Sequence, residues 1–79
     1  MTLSEQKALV ADFLAQCNRY ADGKLEEYRR QLTTATGRHA LEIQDKIGHW
    51  TAYRVFNEHA IDELRSDVLD HWFAQPSAK

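Results

Sequence analysis

Residues 14–32 read LAQCNRYADGKLEEYRRQL, and the reading of Asp22-Gly23 inside that stretch decides the fold. An Asp-Gly pair between two apolar runs ordinarily marks a turn. A turn resets the phase of the apolar stripe, and here the phase carries through. Leu14, Cys17 and Ala21 before the pair share one arc with Leu25, Tyr28 and Leu32 after it. Leu3, Val10 and Ala35 join them, all within roughly 80° at about 100° per residue. Phe13 and Tyr20 flank one edge, while Glu5, Asp12, Arg19, Asp22, Glu26 and Arg30 hold the opposite face. The pattern predicts one helix over about 3–35, with Gly23 a weak point costing about 1 kcal/mol. The competing arrangement breaks the helix at Gly23. Its second part then folds onto the rear of the next helix, giving a monomeric three-helix bundle.

Moving outward, Thr2 and Glu5 fit the capping box T-x-x-E, which starts the helix. TTATG at 33–37 stops it, with Gly37 suited to a left-handed position. Arg38 opens a second helix to about 65, so the pair forms a long antiparallel hairpin. Its main stripe is Ile43, Ile47, Trp50, Ile61 and Leu64. Ser66 is placed to cap a short C-terminal helix over about 67–73, carrying Val68, Leu69, Trp72 and Phe73. Trp72 is expected to pack on the N-terminal third of the first helix, and Leu9 to need a cover. Residues 1–79 read as a single all-α helical domain, and 75–79, QPSAK, as a frayed polar tail.

The second helix carries a second row. Leu41, Gly48, Ala52, Val55 and His59 are spaced 7, 4, 3 and 4, with Phe56 beside them. This row lies about 150° around from the first, and a helix with two apolar stripes is usually sandwiched. Gly48-x-x-x-Ala52 would let two backbones approach closely. Ordering a chain of this size also costs on the order of 120 kcal/mol, which a lone hairpin struggles to offset. These features predict a homodimer, a four-helix bundle of two hairpins with Leu41, Gly48, Ala52, Val55, Phe56 and His59 at the interface.

Two polar residues, Arg54 and Asn57, fall within the main stripe between Trp50 and Ile61. Burying either without a partner costs several kcal/mol. They read as devices that fix bundle register; the alternative is a site for a small anionic ligand. Lys24 intrudes on the first helix and is expected to snorkel.

Composition narrows the function. The chain has 79 residues, with ten Lys+Arg against twelve Asp+Glu, for a formal charge of −2. It therefore has no global attraction to nucleic acid or anionic lipid. Basic residues near the hairpin tip, Lys24, Arg29, Arg30, Arg38 and His39, are diluted by Glu26, Glu27 and Glu42. Nucleic-acid binding survives only as an alternative drawn from the architecture. No apolar run approaches the ~18 residues of a membrane span. The opening MTLSEQKALVADF lacks the apolar stretch of a signal peptide. A lone cysteine, Cys17, allows no internal disulfide, so a reduced, cytoplasmic setting is expected.

His39, His49 and His59 recur every ten residues and do not share a helical face. Asp45/His49, His59/Glu63 and Asp67/His71 are i,i+4 pairs of the kind that form surface ion pairs. Neither an H-E-x-x-H motif, nor a phosphate-binding glycine loop, nor G-x-S-x-G occurs. The expectation is a non-enzymatic protein without cofactor or metal, an adaptor or regulator acting on itself and on another protein. Leu69, Trp72 and Phe73 are candidate docking residues, since aromatic anchors dominate interfaces.

Overall fold

A computed structural model describes residues 1–73, and the 75–79 tail read from the sequence lies outside them. Helices α1 (Leu3–Leu32) and α2 (Gly37–Arg65) pack antiparallel, followed by a short α3 (Asp70–Phe73). The described residues contain no strand. The result is a rod of 53 × 22 × 17 Å.

α1 runs unbroken through Gly23, so the continuous stripe overrides the local turn preference of Asp-Gly. The capping box forms: the Thr2 amide donates to Glu5 Oε1 at 2.8 Å, and the Glu5 amide to Thr2 Oγ1 at 3.1 Å. At the other end, the Thr33 and Thr34 hydroxyls donate to the Arg30 and Gln31 carbonyls at 2.6 and 3.3 Å. These carbonyls belong to the last turn, where hydroxyls can replace further helix. α1 therefore stops at Leu32 rather than near 35. Gly37 is left-handed, with φ 59°, as its residue type suggests. It serves as the first residue of α2, next to an N-cap, Thr36, whose side chain makes no capping bond.

The core is a single seam. Ala21, Leu25, Ile43, Leu64 and Leu69 are the buried apolar side chains among the described residues. Trp50 joins them from the side, packed edge-on against Tyr20 (5.7 Å between ring centroids) and Tyr53 (5.5 Å). Lys24 does snorkel: its ammonium stands 5.6 Å from the Tyr20 ring centroid.

The C-terminal segment departs from expectation. Ser66 Oγ accepts the Val68 amide at 3.2 Å, as a cap would. It also donates to the Glu63 carbonyl at 2.9 Å, and residues 67–69 form a turn, so α3 begins only at Asp70. Leu69 and Trp72 therefore do not share one helical face. Leu69 is buried, whereas Trp72 is 69% exposed and does not cover the N-terminal third of α1. The clamp is polar instead. Lys7 Nζ donates to the Ser66 carbonyl at 2.7 Å and to Asp70 Oδ1 at 2.6 Å. Trp72→Ala is accordingly expected to change unfolding free energy by no more than about 0.5 kcal/mol in urea titrations. A loss several times larger would show that the ring carries the segment.

Candidate functional site

The middle of the hairpin is a polar layer crossing both helices. Asn57 is 2% exposed and Asn18 is 8% exposed. Asn57 Nδ2 donates to Asn18 Oδ1 at 3.0 Å, and Asn18 Nδ2 donates to the Arg54 carbonyl at 3.3 Å. Each buried amide thus gains a partner on the facing helix, which is the condition for burying it at all. Sequence reasoning singled out Asn57 but missed Asn18. The signal was present, because Asn18 lies on the arc of Leu14, Ala21 and Leu25.

Arg54 occupies the edge of this layer, half-buried. Its Nε donates to Asp22 Oδ1 at 2.6 Å and its NH1 group to Glu58 Oε2 at 2.7 Å. Asp22, first among the causes, and Glu58 hold the guanidinium pKa above its ordinary value. The three side chains together carry a net charge of −1. They line an open groove with Ala15, Asn18, Arg19 and Ile61. The Arg54 donors used here end on carboxylates of the same chain, and in the groove as a whole Arg19, Arg54 and Arg65 are matched by Asp22, Glu58 and Asp62, so a further anion would meet no positive surplus. Phosphate or citrate is therefore expected to leave the melting temperature unchanged. A rise that disappears in Arg54→Met would assign the groove to anion binding.

The other side of the layer is aromatic. The Tyr53 phenol sits beside the Cys17 thiol, and that contact, ahead of desolvation, raises its pKa above the ordinary range. Asn57 acts on the same phenol in the opposite direction. Cys17 is a free, half-buried thiol. Around this point Phe13 is 65% exposed, Tyr20 60% and Phe56 69%. Leu9, expected to need a cover, is 60% exposed.

The proposed interface row of α2 also faces outward. Leu41, Val55 and Phe56 are exposed large apolar side chains, and Gly48, Ala52 and His59 are exposed with them. A Cβ added at Gly48 would meet nothing within 4 Å. Of the candidate docking residues, Leu69 is buried in the hairpin, Phe73 is half-buried and Trp72 is exposed. At the tip, Arg29 and Arg30 end α1 and Arg38 and His39 begin α2; His39 lies 3.9 Å from Glu42. Among the described residues, no group of three or more His, Cys, Asp or Glu is placed to share a metal ion. Among the described residues no helix is long and apolar enough to cross a membrane. Comparison of the chain with protein-family models, with curated proteins and with solved structures found no match.

Proposed function

We propose that this protein is a non-enzymatic helical interaction module that works as a homodimer, two hairpins forming a four-helix bundle, in an adaptor or regulatory role. The observation that carries this reading is the mismatch between core and surface. Five apolar side chains are buried among the described residues, while Leu9, Phe13, Tyr20, Leu41 and Phe56 each remain at least 60% exposed. Exposed apolar area on that scale marks interaction surfaces in water-soluble folds. A two-helix layer cannot enclose a core, whereas two such layers can. The polar layer supports the same reading: a satisfied pair of amides restricts register, as single polar residues do in helical assemblies.

Sedimentation equilibrium tests the assembly. The expected mass at micromolar concentration is twice the 9.2 kDa of one chain, and the melting temperature should rise with protein concentration. A single-chain mass up to submillimolar concentration would overturn the reading.

A further inference from the structure

We propose that the second copy docks on the aromatic face of the hairpin, built from Phe13 and Tyr20 of α1 with Tyr53 and Phe56 of α2, rather than on the outer row of α2. This inference rests on the homodimer reading above and specifies the surface that makes it.

The distribution of charge points to that face. Residues 9–20 and 49–60 contain four Asp, Glu, Lys or Arg side chains: Asp12, Arg19, Arg54 and Glu58. At about 100° per residue, all four fall on the same side of the two-helix layer. The structure agrees. Arg19, Arg54 and Glu58 line the groove beside Asp22, and Asp12 lines a second groove with Leu3, Lys7 and Arg65. The opposite side of the same stretch is left to Leu9, Phe13, Tyr20, Tyr53 and Phe56. Antiparallel packing brings the two aromatic flanks together, as the Tyr20–Trp50–Tyr53 contacts show. One side of the layer is therefore wet and ion-paired; over about 18 Å of helix the other carries no Asp, Glu, Lys or Arg of its own, and Lys24, one turn further on, reaches back to the Tyr20 ring at its rim.

Geometry separates this face from the outer row of α2. A partner on Leu41, Gly48, Ala52 and Val55 would touch a single helix. It would leave Leu9, Phe13 and Tyr20 of α1 in water. A partner on the aromatic face touches both helices at once and stacks layer on layer, the arrangement of a four-helix bundle. Phe56 borders both surfaces and does not distinguish them.

The shape of the chain suits a second copy: a rod of 53 × 22 × 17 Å with a single buried seam among the described residues gains a four-helix core when a second such layer stacks on it. A two-fold axis through the aromatic face would place the same rings from each copy against each other, which makes the surface self-complementary.

The experiment is sedimentation of Phe13→Glu and Leu41→Glu beside the unmodified chain, with helicity followed by circular dichroism. Phe13→Glu should raise the dimer dissociation constant by at least about 100-fold, because each dimer then buries two charges where it buried two rings. Leu41→Glu should leave it within about threefold, as expected for a surface position away from the contact. If Phe13→Glu loses its helices, intermolecular nuclear Overhauser effects in a mixed labelled and unlabelled sample of the unmodified dimer decide the matter. Contacts from Phe13 or Tyr20 to the aromatic rings of the other copy are expected. Contacts from Leu41 and Ala52 without them, or dissociation by Leu41→Glu but not by Phe13→Glu, would overturn the proposed face while keeping the dimer. A monomeric unmodified chain would overturn both.

Discussion

Ile43→Ala is expected to lower unfolding free energy by about 2–5 kcal/mol, the range for emptying a buried Ile position. Ile43 is the one large side chain that is fully enclosed among the described residues. It lies in α2 on the same buried seam as Ala21 and Leu25 of α1. So thin a core gives the loss few places to be absorbed. Neighbouring side chains already border solvent and can collapse only by giving up contacts elsewhere. The measurement is a urea titration at fixed protein concentration, because a dimeric native state makes the midpoint depend on that concentration. Leu41→Ala, at a position 67% exposed, is the control and should change stability by no more than about 0.5 kcal/mol. Equal losses at both positions would mean that the outer row of α2 is as buried in solution as the seam.

The hairpin was legible because its signals were redundant. The stripe through Gly23, the Thr2–Glu5 box and the 33–37 stop each point to the same two helices, and tertiary packing agrees with all three. The end of the chain was harder to read. Ser66 does receive the Val68 amide, but the same hydroxyl also binds back to Glu63. Local capping chemistry alone cannot say which of a turn or a helix follows. Trp72 was misplaced for a related reason: large apolar side chains suggest burial, but burial depends on where the backbone points them. Leu69 took the inner position, and Lys7 supplied a polar clamp that no periodicity encodes.

The polar layer was half legible for a physical reason. A polar residue in an apolar stripe announces a need for a partner without naming it. Arg54 met that need at the rim, through Asp22 on α1, which the sequence places on the solvent side of its helix. A long guanidinium reaches across that distance where a short amide cannot. Asn57 therefore required a partner inside the seam, at the level of α1 where Asn18 stands.

That pairing makes the second large effect. Asn57→Leu alone should cost about 1–3 kcal/mol, because Asn18 Oδ1 is left buried without its donor. Leu keeps the branched shape of Asn but is bulkier, so some crowding adds to the lost hydrogen bond in the single variant. The Arg54 carbonyl still receives the Asn18 amide, so half of the layer survives the single change. Changing Asn18 to Leu as well removes the orphaned group altogether. The double variant should recover most or all of the lost stability, since an apolar pair replaces a satisfied polar one at little net cost. A double-mutant cycle in urea would read this as a coupling of about 1–3 kcal/mol between the two positions. Strict additivity would show that the two amides do not meet in solution. The recovered variant also tests what the layer is for: a single mass with sharp amide spectra would show that register is set by the 33–36 connection and the apolar seam alone. Several masses, or broadened spectra, would assign the choice of register to Asn18 and Asn57.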